Sequence, residues 1–428
     1  MSINQPYHTW VSRILQLRPT ERITRVRNMA DLLHGIFRRK SVHLSQIATQ
    51  LISNVTLPSA TRRLTRFLNN PAVRVRDWYA PIAQALLLSV VRSVGEIRLL
   101  ADGTKVGFGH QLLMISVAYR RRALPIAWTW IKASRGHSSA ITQVALLGYV
   151  HRLIPHGSRV LLAGDSEFGA IPVLQQLEAW GWFYVLRQKA SNQVRLTEHG
   201  EWQAFSSLIQ HPGESVWYAE VALTHKYAHP TNVLAYWQIG EAEPWLLATN
   251  LPHLRIALQV YRRRMWTEEM FGDLKGHGFD LESTHLQHIA RLSRLTLAVV
   301  LLYVWVISVG TAVIKNGQRS WIDRADRRDL VPIPKIKSAK MCLEDQSYGT
   351  WVAFSENQPP EVQIRTAAAT PDQCLWSGVG QIVGGVREIS DPRTPAGPPG
   401  TPHCSLSESP GGHSLPSAHW LSMEGHPH

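Results

Sequence analysis

The order of hydrophobic runs between residues 96 and 188 constrains the fold of this chain more than any other feature. Short β-type runs lie at 96–106, 112–119, 124–131, 159–165 and 182–188, and helical patterns lie at 138–154 and 170–180. The resulting order, β-β-β-α-β-α-β, predicts an α/β fold with a mixed sheet and helices on its faces. It excludes a TIM barrel, in which each parallel strand is followed by a helix.

The pattern changes on both sides of this segment. Residues 8–92 repeat apolar positions at helical spacing with basic residues between them, which predicts an all-α N-terminal unit. Strand-like runs recur between 191 and 250, and helical patterns return at 254–314, so a β-rich insertion is predicted. The composition at 367–428, dominated by Pro, Gly, Ser and His, predicts disorder there and leaves 316–366 unassigned.

The charge of the chain indicates an anionic partner. Its 428 residues include 45 Lys and Arg against 31 Asp and Glu, a net charge of +14, and 44% are hydrophobic, which excludes a wholly disordered basic protein. Residues 326–428 hold 8 basic and 11 acidic side chains, so residues 1–325 carry +17. Nucleic acid is the first partner that this excess predicts, with an anionic membrane surface as the alternative.

The cysteines indicate a reducing compartment. Cys342, Cys374 and Cys404 all lie in the last quarter and show no CxxC or Cys/His ligand spacing. We expect neither a disulfide framework nor a zinc site, which suits the cytoplasm. The N-terminal residues contain no basic segment followed by an apolar run, so no signal peptide is predicted.

One apolar segment has the length of a membrane span. Residues 295–314 contain no charge and are flanked by Arg291, Arg294 and Lys315, as in a single transmembrane helix. The segment follows a charged helix without a linker, and the chain has no second candidate. We therefore expect a buried core helix and no membrane partner.

A pair of short helices in the N-terminal unit resembles a helix-turn-helix. Residues 44–51 and 59–68 each fit a helix, with turn and N-cap residues between them. Arg62, Arg63 and Arg66 would lie on the second helix, where they are available for DNA phosphates or base edges. An ordinary helical pair with a solvated arginine face is the alternative.

Acidic residues end two of the predicted strands. Asp102 follows an apolar run and precedes Gly103, and Asp165 ends another apolar run. If these strands are neighbours, the two carboxylates converge, and carboxylate oxygens are the ligands that Mg²⁺ takes. For either residue alone, an Asx turn after a strand is the alternative.

A third acid lies in a segment with helical phasing. At about 100° per residue, four side chains fall within about 60° of one another, and three apolar side chains fall opposite. The first set is Tyr261, Arg264, Glu268 and Lys275, and the second is Trp266, Met270 and Leu274. Glu269, next to Glu268, falls outside the stripe. A solvated Glu–Arg pair is the alternative interpretation.

These residues resemble a known pattern. The spacing Tyr-x2-Arg-x3-Glu-x6-Lys, with ADGT around Asp102, GDSEFG around Asp165 and WxLATNL at 245–251, resembles bacterial insertion-sequence transposases of the DDE type, in the insertion-sequence-four family. The similarity spans residues 40–315. It implies an RNase H-like catalytic core, a β-strand insertion between the second Asp and the Glu, and a helical region that binds element ends.

The resemblance also implies roles for single residues. Asp102, Asp165 and Glu268 would be the catalytic acids and metal ligands, holding two Mg²⁺ (or Mn²⁺) ions for phosphoryl transfer. Tyr261, Arg264 and Lys275 would contact DNA near the cut. Its partners would be double-stranded DNA, both element ends and target, and a second copy of the chain in a synaptic homodimer.

On this basis we predict five regions. They are a helical DNA-binding domain at 1–92, the first part of an RNase H-like catalytic core at 93–190, a β-rich insertion at 191–252, a helical completion of the core at 253–315, and a divergent, largely disordered tail at 316–428. The family's C-terminal helical region is not recognisable in that tail. Two loop histidines, His137 and His277, lack paired ligand spacing and are interpreted as loop or phosphate contacts.

Three functions remain open from the sequence. The first is an active transposase that cleaves and joins DNA. The second is an RNase H-like nuclease that does not join ends. The third is an inactive derivative that acts only as a sequence-specific DNA-binding protein.

Overall fold

The computed structural model of the chain describes residues 5–51, 55–107, 109–132 and 138–317, without the side chain of Gln5. The cysteines, the predicted tail beyond residue 317, and His137 lie outside these ranges.

The N-terminal part is helical, as predicted. It contains α1 (Gln5–Leu17), α2 (Ile23–Arg39), α3 (Leu44–Ala48), α4 (Leu57–Asn69) and α5 (Val75–Val94). The helix pair expected from the turn and cap signals corresponds to α3, which is only five residues long, and α4. Gly95 ends α5 in the left-handed conformation, at φ 80°, which a residue without a Cβ adopts at little cost.

One sheet of ten strands follows. The strands are β1 (Glu96–Val106), β2 (His110–Tyr119), β3 (Arg122–Lys132), β4 (Arg159–Gly164), β5 (Phe183–Arg187), β6 (Gln193–Arg195), β7 (Gln203–Ala204), β8 (Ser215–Leu223), β9 (His229–Tyr236) and β10 (Trp245–Thr249). Their order is β3-β2-β1-β4-β5-β10-β9-β8-β6-β7. The remaining helices are α6 (Ala140–His151), α7 (Ile171–Ala179), α8 (Leu254–Arg262), α9 (Met265–Leu274) and α10 (Ile289–Lys315).

The first five strands form a mixed sheet of the RNase H-like kind. β1, β2 and β3 pair antiparallel, and β4 and β5 continue the sheet parallel to β1. Helices α6 and α7 pack against the sheet, as do α5, α8, α9 and α10. The predicted fold class is therefore confirmed.

The β-rich segment does not form a separate sheet. β10 pairs antiparallel with β5, and β9 and β8 extend the sheet from there. The insertion thus shares hydrogen bonds with the first five strands, through β5, which ties its position to theirs. The domain boundaries remain a prediction, because one continuous hydrophobic core runs from Trp10 to Val313.

Helix α10 lies inside this core. Trp305 packs edge-on against Trp10 and Phe37, at ring-centroid distances of 5.2 and 5.8 Å. The hydroxyl of Tyr303 donates to the carbonyl of Ala123 on β3 at 3.1 Å. Of the helices in the described ranges, α10 is the one long and apolar enough to cross a membrane, and 94% of its apolar window is buried within the protein. This burial is what a core helix requires, since each fully buried Leu or Val contributes about 1.5–3 kcal/mol.

Candidate active site

The register of two parallel strands brings the first two predicted acids together. On β1 and β4, Leu100 pairs with Ala163 and Ala101 with Gly164. Asp102 and Asp165 are the next residues along these two strands, so they lie side by side where the β1–β4 pairing ends. The prediction that Asp102 ends its strand is wrong, because β1 continues to Val106 by pairing with β2. Asp165 directly follows β4. The condition that the sequence left open, adjacency of the two strands, is met.

Asp102 is held by three donors. Its side chain is buried, with the residue only 6% exposed. The amide of Gly103 donates to Oδ1 at 2.8 Å, and the Thr267 hydroxyl and an Arg264 nitrogen donate to Oδ2 at 2.5 and 3.0 Å. Burial raises the pKa of Asp102, and the Arg264 guanidinium partly offsets this rise.

Asp165 lies beside this carboxylate. Its Oδ1 accepts a hydrogen bond from the amide of Glu167 at 3.0 Å. Burial, followed by repulsion from the Asp102 carboxylate, raises the pKa of Asp165 to about 7. Like charges held this close favour a cation between them or a proton on one of them. The strand ends therefore offer a binding place for a positive charge.

The third acid reaches this place through an arginine. One nitrogen of Arg264 contacts Asp102 at 3.0 Å, and another contacts Oε1 of Glu268 at 2.9 Å. The guanidinium thus bridges two of the three predicted acids. Glu268 lies at the open side, with 52% of its side chain exposed, while Arg264 is only 13% exposed.

The carboxylates of the site are ligands of the kind that hard divalent cations bind. In this structure, however, the three predicted acids do not converge on one point. Asp102 and Asp165 supply carboxylate oxygens from neighbouring strands, and these are the ligands that Mg²⁺ takes. Within the described ranges, no group of three or more His, Cys, Asp or Glu side chains is placed to share a metal ion. The reason is visible locally, because the Arg264 guanidinium lies between Asp102 and Glu268.

The prediction of one continuous helix through the signature segment is wrong. It is divided into α8 and α9 at Arg263–Arg264. At the junction, the amides of Arg263 and Arg264 bond to carbonyls three residues back, at 3.1 and 2.9 Å, which tightens the turn. Glu268 and Glu269 still diverge as predicted, since Glu269 pairs with Arg122 at 3.0 Å.

Tyr261 and Lys275 have partners within the protein. The Tyr261 side chain is buried, and its ring lies 5.0 Å from that of Trp245. Lys275 ends α9 and contacts Glu282 at 2.8 Å. A DNA contact by either residue stays a prediction, and it requires Tyr261 to leave the core and Lys275 to exchange its partner.

The three arginines of α4 divide into two groups. Arg62 and Arg66 are exposed and one helical turn apart, so they share a face. Arg63 contacts Asp31 of α2 at 2.7 Å. Burial raises the pKa of Asp31 to about 6 against the lowering effect of Arg63. Arg63 therefore links α4 to α2, whereas Arg62 and Arg66 face solvent.

His277 is an exposed loop residue.

Sequence reasoning missed two polar side chains at this site. Thr267, fully buried, donates to Asp102 and also to the carbonyl of Arg264 at 2.7 Å. Glu167, only 6% exposed, follows Asp165 by two residues. The sequence did offer a signal for Glu167, because it is a second acid close behind Asp165, directly after an apolar strand, and acids are seldom buried. For Thr267 no signal existed, since a single Thr in a helical pattern does not indicate a distant hydrogen-bond partner.

A cavity of about 410 Å³ lies beside the Asp165 turn. Ser166 and Glu167 line one side, and Lys189, Lys226 and the exposed Tyr227 line another. The lysines come from the segment after β5 and from the β8–β9 turn. The cavity therefore brings two lysines, Lys189 from the core and Lys226 from the insertion, to the turn that follows Asp165.

The chain is similar to one protein family and to a solved structure. Residues 102–305 match the family model described as "Transposase DDE domain". None of the curated proteins matches the chain. Among solved structures, the chain is similar to the cryo-EM structure of a piggyBac transposase synaptic complex with hairpin DNA, at 10% identity and a TM-score of 0.38, covering 86% of this chain and 85% of that one. The matched residues begin at Asp102 and include Asp165, Arg264 and Glu268. On this match, residues 102–305 form a transposase DDE domain, the domain of metal-dependent DNA-cutting enzymes.

Proposed function

We propose that this protein is a bacterial insertion-sequence transposase of the insertion-sequence-four kind, which binds the ends of its element and performs Mg²⁺-dependent strand cleavage and strand transfer. The observation that supports this most is that Asp102 and Asp165 lie side by side on neighbouring strands, with Glu268 joined to Asp102 through Arg264. The proposed catalytic acids are these three.

The same acids would hold two divalent ions, Mg²⁺ or Mn²⁺. Bound there, such ions supply an activated water and stabilise the charge that develops on the leaving oxygen of a phosphodiester. The raised pKa values of Asp102 and Asp165 agree with this role, because two crowded carboxylates gain most from a cation between them.

The protein's own residues orient this centre. The Thr267 hydroxyl and the Gly103 amide each bond a different oxygen of Asp102, so its carboxylate cannot rotate freely. Arg264 lies between Asp102 and Glu268 and contacts both. Glu268 would be the third ligand of the ions, and the Arg264 guanidinium would bind a DNA phosphate near the cut.

DNA would bind over a broader surface. Arg62 and Arg66 present an exposed cationic face on α4, and Lys189 and Lys226 line the cavity beside Asp165. The +17 charge of residues 1–325 supports a large salt-dependent share of binding. We further propose that the enzyme acts in the cytoplasm as a synaptic homodimer that holds two element ends and a target.

The test is incubation of the full chain with DNA that carries its genomic flanks. Wild-type protein should nick this DNA only with Mg²⁺ or Mn²⁺ and should also form joined products. Asp165→Asn should abolish both reactions while leaving the gel shift at low salt unchanged, because a metal ligand is lost without loss of positive surface. Glu241→Gln, at an exposed acid of the insertion, removes the same charge and should react like wild type.

Each other outcome identifies a different function. Nicking without joining indicates an RNase H-like nuclease. DNA binding without nicking indicates an inactive derivative that acts as a DNA-binding protein. Equal loss of binding and cleavage in Asp165→Asn means that this acid is structural.

A further inference from the structure

A fourth carboxylate lies at the catalytic edge of the sheet. Glu167 is 6% exposed, and both of its side-chain oxygens accept hydrogen bonds. Oε1 accepts from the amide of Ser138 at 2.8 Å, and Oε2 accepts from Nε2 of Gln111 on β2 at 2.5 Å. Burial of a carboxylate costs free energy unless the group is hydrogen-bonded, so these two donors stabilise Glu167 in its buried position.

The backbone of the same residue holds the Asp165 turn. The Glu167 amide donates to Oδ1 of Asp165 at 3.0 Å. Its carbonyl accepts from Nε2 of Gln143 on α6 at 2.7 Å. Glu167 thus links the turn after β4 to α6 by its backbone and to β2 by its side chain.

The Glu167 carboxylate also contacts the chain that follows Asp102. A Cβ added at Gly103 would lie 2.7 Å from Oε2 of Glu167 and 3.0 Å from Nε2 of Gln111. Only glycine lets β1 pass this close to the carboxylate without a shift. The Glu167 side chain therefore packs against Gly103, the residue after Asp102. The same residue belongs to the turn that carries Asp165.

We propose that Glu167 is a positioning residue that sets the separation of Asp102 and Asp165, and that it is not itself a metal ligand. Each of its oxygens is held by a protein donor, the Ser138 amide or Nε2 of Gln111, so metal coordination would compete with these two hydrogen bonds. This inference rests on the proposed function, because it assumes that the two aspartates hold metal. It predicts that position 167 needs a side chain of this shape and hydrogen-bonding capacity, and that the negative charge is not needed.

The structure supplies a sharp test of that requirement. Gln111 Oε1 is buried and has no hydrogen-bond partner within the described part of the chain. If Glu167 is replaced by Gln, the Gln111 amide can flip so that Oε1 accepts from the new amide nitrogen. Glu167→Gln should therefore retain the link without the charge, whereas Glu167→Ala loses it.

We would measure Mn²⁺ binding by titration calorimetry without DNA, and cleavage of the flanking DNA with Mg²⁺, for the full-length variants. Glu167→Ala should weaken Mn²⁺ binding and slow cleavage about 10–100-fold, as expected when a residue that orients a metal ligand is lost. Glu167→Gln should recover at least about tenfold of that loss. The low-salt gel shift should be unchanged in both variants.

Two results would overturn the inference. Glu167→Gln as damaging as Asp165→Asn would make the charge essential and Glu167 a metal ligand. Glu167→Ala with wild-type Mn²⁺ affinity would remove the positioning role. Should the Ala variant fail to fold, Gln111→Met removes one donor alone and should give a smaller loss in the same direction; wild-type affinity there counts against the inference. Absence of cleavage by the wild type would instead refute the proposed function, and the Mn²⁺ titration would still read the positioning role.

Discussion

Replacement of Glu268 or of its neighbour Glu269 by Gln tests the assignment of the third acid with a built-in control. The two residues are closely matched, since their side chains are 52% and 54% exposed and each makes one ion pair, at 2.9 and 3.0 Å. Each glutamate is about half exposed, and its arginine partner keeps a second acid, Asp102 for Arg264 and Asp273 for Arg122, so both changes should have small and similar effects on stability. Any large difference in activity must then come from chemistry.

The expected difference follows from where each side chain points. Glu268 contacts the guanidinium that also holds Asp102, whereas Glu269 contacts Arg122 at the start of β3. A metal ligand contributes several kcal/mol to the stabilisation of a transition state. At 1.36 kcal/mol per factor of ten, about 4 kcal/mol is about a thousandfold in rate. We expect Glu268→Gln to lose about that factor and Glu269→Gln to lose less than about threefold.

The assay is single-turnover cleavage of labelled flanking DNA at saturating protein, with Mg²⁺ varied, alongside a thermal melt of each variant. Single-turnover conditions remove product release from the measured rate. Equal losses in the two variants, or a larger loss in Glu269→Gln, would refute the assignment. Loss confined to a variant whose melting temperature has fallen would show instead that the helix had unfolded.

Three further outcomes are expected. Arg122→Met should lower the free energy of unfolding by about 3–5 kcal/mol in urea denaturation, because the arginine is buried and pairs with the buried Asp273; a change below about 1 kcal/mol would contradict this. The pKa of Asp31 is raised to about 6, so between pH 4 and 6 the folded state keeps a proton that the unfolded state releases, and stability should fall as the pH rises through this range. Asp31→Asn should flatten this pH dependence in thermal melts, and an unchanged or steeper dependence would contradict the prediction. Arg62→Ala with Arg66→Ala should weaken DNA binding and reduce the salt slope of a gel shift by about 2, and an unaltered slope would place DNA elsewhere.

Local pattern predicted the elements of the core and where two acids lie on them. Strand runs ending near Asp102 and Asp165 were recognisable because alternation and apolar runs depend on residues close in the chain. The helical phase also separated Glu268 from Glu269 correctly, since their divergence needs only about 100° per residue. What the pattern left conditional was whether the two acid-bearing strands are neighbours, and the parallel pairing of β1 with β4 decided that.

The contacts that define the site came from tertiary structure alone. Arg264 meets Asp102 across 162 residues of chain, Glu167 meets Gln111 across 56, and Arg63 meets Asp31 across 32. Spacing within a segment carries no information about such partners, because they depend on how distant elements pack. The sequence by itself therefore determined which residue types lie on which strand ends and helix faces. Packing decided which arginine faces the acids, which one links two helices, and which buried glutamate lies beside the two aspartates.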